Sequence, residues 1–455
     1  MRVSTAFSRL LCLPGVWVRS VSFQPDRVVV TVALRARLLR CPKCSYCTRH
    51  RESRQHHDSV WRHLDLGRWR LEVHARLRRV RCPEHGVLVE GVPFARDGAR
   101  FTRDFEDLVA WLATKTDKTA TCRLTRIDWQ TIGRIIERVG QELIDGDRLA
   151  GLFDISIDEV AWRKGHRYLT IIGDHRRRCV VWGCEGKGKA AADEFFAQLD
   201  PEPHHPPQTP EPPGPARAAQ IAAEQTTEPE EEEEEEEHQV GERACKLAAV
   251  SMDMGEGYAK SVREHAPQAT ICIDNFHVVQ LATKALDEVR REHWNELRHA
   301  GDTSAAKQFK DSRWSLLKNP GDLTDRQLDT LTALQLAGGK VPRAWAMKEM
   351  VRAIFAPGLT VDAVAELIDQ LLSRLSRSRM KPFVRLGRTI RKHREGILAA
   401  RRLGITNARA EAMNNKVKLI VRRAYGFHSA RAALALVHLT CGPVTLTLPH
   451  EQKLA

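Results

Sequence analysis

The chain has 455 residues, enough for two or three domains and a substantial core. Hydrophobic residues make up 42% of it, which excludes a wholly disordered chain, and no apolar run is long enough to span a membrane. The net charge is +14, yet residues 200–243 hold 14 acidic residues against 2 basic ones, a local charge of −12 that leaves +26 on the remainder.

A globular remainder that basic points to a polyanionic partner, nucleic acid before any other, rather than to a merely soluble basic protein. The 11 cysteines are odd in number and include a C-x-x-C pair. That pattern argues against a secreted disulfide framework and for a reducing cytoplasm.

Residues 1–95 read as strand-like, with clustered cysteines. "LLCLPGVWV" is short, contains Pro14, and precedes the alternating "RVVVTVALRA". Together they predict a strand pair and not a signal peptide. Cys41-Pro-Lys-Cys44 and Cys82-Pro-Glu-His85 each set two soft ligands on a tight knuckle. Two knuckles complete a tetrahedron, the arrangement of thiolates and imidazole that suits Zn²⁺. The expectation is a closed, structural zinc ribbon with a strand-like basic spacer. Cys47, His56, His57 and His63 are rival ligands.

Residues 101–150 read as helices, because "FEDLVAWLA" and "WQTIGRIIERV" repeat apolar residues at 3–4 spacing. A short helix ends near Leu124, "TRI" turns, and Asp128 can cap a helix that begins at Trp129. Either a helix-turn-helix or an ordinary helical hairpin fits. In the first case the second helix enters the major groove, and Gln130, Thr131 and Arg134 project from its first turns.

Three apolar runs, "GLFDISID", "YLTIIG" and "CVVWGC", predict strands of one sheet, and "KAAADEFFAQL" predicts a helix. Residues 200–243, with eight consecutive glutamates from Glu230 to Glu237, cannot bury a core and read as a disordered insert. Such an insert is either a neutral loop or, by charge alone, a nucleic-acid mimic that occludes a basic surface. The sheet then resumes with "CKLAAVSMD" and "ATICID", separated by the helix-like "GYAKSVREHA". Residues 276–400 are helical in pattern and basic.

Asp158, Asp253 and Asp274 end three of the strand-like runs. Single strand-end aspartates usually cap turns, but two with a helical carboxylate can hold a pair of Mg²⁺ ions for phosphoryl transfer. In "NARAEAMNNKVKLIVRRAYGF", Glu411, Asn414, Asn415 and Lys418 share one helical face, and Met413, Val417, Ile420 and Ala424 share another.

Taken together, these segments resemble the DDE transposases of bacterial insertion sequences, in particular the family named ISL-three. The resemblance runs through nearly the whole chain in order. Its most specific parts are a D-x-F-H block (Asp274, Phe276, His277) and a T-N-x-x-x-E-x-x-N-N-K block (Thr406, Asn407, Glu411, Asn414, Asn415, Lys416).

The resemblance implies a multidomain α+β chain. A zinc-binding domain (1–95) would precede a helix-turn-helix (101–150) and the first part of a ribonuclease-H-like α/β core (151–275) containing the acidic insert. A helical insertion (276–400) and the last part of the core (401–445) would follow. Asp158, Asp253 and Glu411 would be the catalytic carboxylates, holding two Mg²⁺ or Mn²⁺ ions. Asp274 is the rival for the second place and, with His277, Asn414 and Asn415, a candidate support. Lys416, Lys418, Arg422 and Arg423 would hold phosphates. The implied partners are double-stranded DNA, at the element's terminal inverted repeats and at the target, and further copies of the chain on that DNA. The implied location is the bacterial nucleoid. The implied reaction is phosphodiester hydrolysis followed by strand transfer. A DNA-binding regulator without catalysis, or a nuclease or junction resolvase on the same core, are the alternatives.

Overall fold

A computed structural model describes residues 2–144, 146–163, 165–200, 241–405, 408–424 and 426–451. They divide into two compact units. One comprises 1–148, 161–167 and 415–455; the other comprises 149–160 and 168–414.

The first unit opens with helix α1 (Val3–Leu11), followed by strands β1 (Val16–Phe23) and β2 (Arg27–Leu34). The expected strand pair is present and antiparallel. However, the apolar run before Pro14 is helical and not a strand. Its Phe7 is buried beneath the sheet with Val16, Val28 and Val30, so its apolar residues serve a helical face. Strands β3 (Leu39–Arg40) and β4 (Cys47–Thr48) form a small hairpin. Strands β5 (His57–Leu66) and β6 (Trp69–Leu77) form a long one, and β7 (Arg79–Cys82) and β8 (Gly86–Val89) form another small one. The large sheet has the order β1-β2-β6-β5. Val28, Val30 and Val32 alternate inward, as half-buried strands do.

Helices α2 (Arg103–Lys115), α3 (Lys118–Thr125) and α4 (Trp129–Leu143) follow. Asp128 caps α4 by accepting from the Thr131 amide at 2.9 Å. Glu106, fully buried on α2, accepts from Arg138 of α4 at 3.0 Å and from Arg96 at 3.4 Å, which ties the two helices through a satisfied charge.

In the second unit, β9 (Asp154–Arg163), β10 (Arg167–Asp174), β11 (Cys179–Glu185) and α5 (Lys189–Leu199) come first. After 201–240, where most of the acidic insert lies outside the described residues, Ala244–Lys246 makes a 3-10 turn. The sheet resumes at β12 (Ala249–Met252), later than "CKLA" suggested. Helix α6 (Glu256–His265) and strand β13 (Thr270–Ile273) complete this part. The sheet order is β11-β10-β9-β12-β13. β12 is parallel to both β9 and β13, and β10 is antiparallel to β11. Phe195, Phe196, Tyr258 and Val262 form a core with the buried residues of this sheet.

The helical stretch comprises α7 (Asn275–His299), α8 (Thr303–Lys310), α9 (Arg313–Leu317), α10 (Asp325–Ala337), α11 (Lys340–Ile354), α12 (Val361–Ser376), α13 (Lys381–Lys392) and α14 (Arg394–Arg402). Its core runs from Val278 through Ile368 to Leu398. Ala399 and Ala400 of α14 pack with Ala249 and Cys272 of the sheet. Helix α15 (Ala408–Arg423) carries Glu411, and α16 (Ala430–Cys441) ends the described helices. Val417, Ile420 and Ala424 are buried, as their spacing predicted. No described helix is long and apolar enough to cross a membrane.

Candidate functional site

Asp158 does not end its strand. β9 continues to Arg163 beside its neighbour β10, while its parallel neighbour β12 stops at Met252. Asp158 therefore stands on β9 where that neighbour ends. Ser156, Ser251 and Cys272 lie opposite one another across β9, β12 and β13. β12 and β13 stop at Met252 and Ile273, their last pair, so Asp253 and Asp274 stand just past two neighbouring strand ends, and Asp158 lies two residues beyond Ser156, the last residue of β9 paired with β12. Side chains alternate along a strand, and Glu159 accordingly turns the other way, accepting from the Tyr258 hydroxyl at 3.0 Å.

The three aspartates are engaged differently. Asp158 accepts from the Glu159 amide at 2.6 Å and from the side-chain amide of Asn414 on α15. Asp253 accepts from the Gly255 amide at 2.8 Å. Asp274 caps α7, accepting from the Phe276 amide at 2.7 Å, with its other oxygen 3.6 Å from His277 Nε2. Its cap role and its 8% exposure set it apart from the half-buried Asp158 and Asp253.

Glu411 lies on α15 one turn before Asn414. The Asn414–Asp158 bond joins residues 256 apart in sequence and brings that helix to β9. Thr406 and Asn407 lie outside the described residues. Near Asp253, burial first, then Lys392 and Arg263, lowers the pKa of His393, and Asp253 opposes the shift.

A second acidic group, Asp193, Glu264 and His265, was not evident from sequence. It is closed by Lys189, whose Nζ lies 2.8 Å from Asp193 and 2.6 Å from Glu264, and by the Ser261 hydroxyl. Charge compensation of this kind makes it a structural network.

In the first unit, Cys41, Cys44, Cys82 and His85 offer ligand atoms all within 4.8 Å of one another. Two come from the β3–β4 hairpin and two from the β7–β8 hairpin. Cys44 Sγ is 3.6 Å from Cys82 Sγ, and His85 Nδ1 is 3.6 Å from Cys82 Sγ and 3.9 Å from Cys41 Sγ. Burial would raise the Cys82 thiol, but hydrogen bonds from the His85 and Glu84 backbone and the His85 ring lower it to about 6. At Cys44 a backbone hydrogen bond at Tyr46 lowers the pKa, but burial and the neighbouring Cys82 and Cys41 outweigh it and raise the thiol to about 11. The rivals are elsewhere occupied: Cys47 with the Ser45 carbonyl, His57 with Ser59, and His63 with Thr102. His56 is exposed.

Of the residues expected on α4, Gln130 and Arg134 are exposed. Thr131 donates its hydroxyl to Asp128 at 2.7 Å, so it serves the cap. Trp129 donates to the Gly426 carbonyl at 3.1 Å. Gly133 has no room for a side chain, because the His428 ring lies against it. Asn415, Lys416, Lys418, Arg422 and Arg423 are all exposed.

Comparison with known proteins identifies relatives of the chain. A family model described as "Transposase", of the DDE and ISL3 type, matches residues 155–207 and 230–436. A second, described as "Helix-turn-helix domain of transposase family ISL3", matches 90–140. The chain is similar to the transposase for insertion sequence element IS1557 of Mycobacterium tuberculosis. Identity is 33% over 463 residues, covering 95% of this chain and 94% of the relative. It is also similar to the transposase for insertion sequence element IS1001 of Bordetella parapertussis. There identity is 25% over 400 residues, covering 86% of each.

Proposed function

The chain belongs to the ISL3 family of insertion-sequence transposases, and we propose that Asp158, Asp253 and Glu411 are its catalytic carboxylates. The observation that carries this reading is the bond from Asn414 to Asp158, which brings the helix of Glu411 to that aspartate. The sheet order β11-β10-β9-β12-β13, with β12 parallel to its neighbours, supports a ribonuclease-H-like core. The proposed domains are zinc-binding 1–95, helix-turn-helix 101–150, core 151–275 and 401–445, and helical insertion 276–400.

Asp253 rather than Asp274 is the second carboxylate, since Asp274 is committed to capping α7. Two aspartates with a third carboxylate on the adjoining helix are hard oxygen donors, which fit Mg²⁺ or Mn²⁺. A bound pair of such ions supplies charge neutralisation and activates the attacking oxygen in phosphoryl transfer. The protein's own residues position the DNA. Asn414 orients Asp158, His277 braces Asp274, Asn415 is a further candidate support, and Lys416, Lys418, Arg422 and Arg423 hold the phosphates. Water attacks the phosphorus at the element's end and the 3′-oxygen leaves as a hydroxyl. That hydroxyl then attacks a target phosphodiester, displacing a target 3′-oxygen.

The three thiols and one imidazole form a soft donor set. A tetrahedron with Zn–S bonds of about 2.3 Å has S···S edges of about 3.8 Å, close to the 3.6 Å between Cys44 and Cys82. Cys41, Cys44, Cys82 and His85 would hold Zn²⁺ with four protein donors, and the ion would clip the two hairpins together in a structural role. Exposed Gln130 and Arg134 on α4 read the terminal repeats, with Thr131 holding the cap. Work on two ends calls for at least two copies on the DNA, in the nucleoid.

The test is to compare Asp158→Asn, Asp253→Asn and Glu411→Gln in binding and Mg²⁺-dependent cleavage of a duplex carrying one element end. Each should bind as the parent does and fail to cleave. Full cleavage by Glu411→Gln would exclude it as the third carboxylate. Cleavage surviving Asp253→Asn but lost in Asp274→Asn would move the second place to Asp274.

A further inference from the structure

Beside the helix-turn-helix stands a hairpin that the proposed catalysis does not use. β5 and β6 turn at 66–70, with Leu66 paired to Trp69. All five residues of this tip, Leu66, Gly67, Arg68, Trp69 and Arg70, are exposed. The Arg68 guanidinium lies 4.8 Å from the centre of the Trp69 ring.

The hairpin is fastened to the helix-turn-helix along its outer half. Where His63 pairs with Leu71, His63 Nδ1 is 2.7 Å from the hydroxyl of Thr102, the residue that caps α2. The Arg62 and Thr102 backbones also exchange hydrogen bonds with this segment, Arg62 N to Arg100 O at 2.9 Å and Thr102 N to Arg62 O at 3.0 Å. At its tip, Arg126 donates from Nη1 to the Arg68 carbonyl at 3.0 Å. Arg126 itself makes the turn between α3 and α4, with φ of 55°. Arg62 completes the link, donating to the Arg126 carbonyl at 3.3 Å and gripping Asp65 at 3.1 and 3.2 Å. The tip is therefore held at the N-terminal end of α4, the end that approaches base edges when such a helix enters a major groove.

The charge on this end is one-sided. Arg68, Arg70, Arg123 and Arg126 are exposed there. The acids nearby are both engaged: Asp65 by Arg62 and by Arg126 at 3.5 Å, and Asp128 by the cap of α4. Hydrogen bonds from the Thr131 side chain and backbone hold the Asp128 carboxyl below the usual range.

We propose that the 66–70 tip is a second DNA-contacting element. It is a wing whose Arg68 and Arg70 hold the phosphodiester backbone flanking the groove that α4 occupies. This rests on the reading of α4 as the helix that reads DNA. Backbone contacts fix register and add affinity without choosing bases, so the wing sets how α4 is presented while Gln130 and Arg134 discriminate.

The test compares the full chain with the double variant R68A/R70A on two duplexes of equal length, one carrying an element end and one unrelated, over a series of salt concentrations. Both side chains are exposed, and an unchanged unfolding temperature checks that the fold is kept. Removing one arginine–phosphate pair should reduce the slope of log affinity against log salt by about 0.9. The double variant, with two pairs removed, should therefore show a slope shallower by about 1.8 on both duplexes and keep its preference for the end. R68K/R70K should restore the slope. Arg134→Ala, run in parallel, should instead relax the preference. An unchanged slope in R68A/R70A alongside a relaxed preference in Arg134→Ala would overturn the wing and leave the reading of α4 standing. A preference untouched by Arg134→Ala and by Gln130→Ala would overturn the reading of α4, and the wing beside it.

Discussion

Removing the metal from the Cys41, Cys44, Cys82 and His85 cluster, or replacing Cys44 with Ser, should uncouple the two hairpins that the cluster clips together. Cys44 and Cys82 are 38 residues apart, so the clip closes a loop of that length. Closing such a loop in the unfolded chain lowers its entropy by an amount equivalent to about 4 kcal/mol at 25 °C. For a domain of roughly 150–250 residues, each kcal/mol shifts the unfolding temperature by about 2–4 °C. The first unit should thus unfold about 8–16 °C lower without its metal. The measurement is thermal unfolding followed by tryptophan emission, with metal content determined on the same sample before and after dialysis against a chelator. Trp61 is buried in this unit and reports on it. A metal-free protein as isolated, unfolding at the same temperature with Cys44→Ser as without, would refute the zinc site. A metal that is bound but shifts nothing would refute the loop argument alone.

Three further outcomes are expected. Asn414→Ala should slow cleavage of end DNA by about 10–100-fold with binding retained, the usual effect of losing a group that orients a metal ligand; single-turnover rates equal to the parent's would remove Asn414 from the site. Burial lowers the His63 pKa to about 4 from 6.5. The unfolded chain then binds that proton first, and stability is full above about pH 6.5 and falls by up to about 3 kcal/mol as the pH drops to about 4. Denaturant titrations across that range should show the loss, and His63→Gln should flatten it. Gly133→Ala forces a methyl against the His428 ring and should cost about 1–3 kcal/mol as overpacking does. His428→Ala should relieve most of it, and failure of that rescue would point to strain elsewhere.

Local features were legible in the sequence because their causes are local. Two knuckles of fixed spacing predicted the four clustered ligands, alternation predicted the inward Val28, Val30 and Val32, and Asp128 before Trp129 predicted a cap. What failed depended on partners distant in the chain. Val3–Leu11 has apolar residues that satisfy a short helix or a strand, and only the sheet it covers decides between them. β9 runs on beside β10 past the end of β12, and charged residues such as Glu159 disguised its second half. The Asn414–Asp158 bond spans 256 residues, and only the spacing of the "NARAEAMNNK" block hinted at it. The tie between Arg126 and the hairpin tip carries no pattern at all, since its acceptor is a backbone carbonyl.

Asp200 has a consequence for how this chain tolerates change. Its two carboxylate oxygens accept from the amides of Arg243 and Ala244, each at 2.7 Å. Gly241 lies so close to it that a side chain there would collide. The chain thus departs from the second unit and rejoins it at one stitched point. The entropy of joining two such ends rises by only about 0.6 kcal/mol for each doubling of the chain between them, so added residues meet little thermodynamic resistance at this point. It is a natural port: a fluorescent reporter or affinity tag spliced there would label the transposase while leaving Asp158 and Asp253, the cysteine hairpins and the helix-turn-helix as they are.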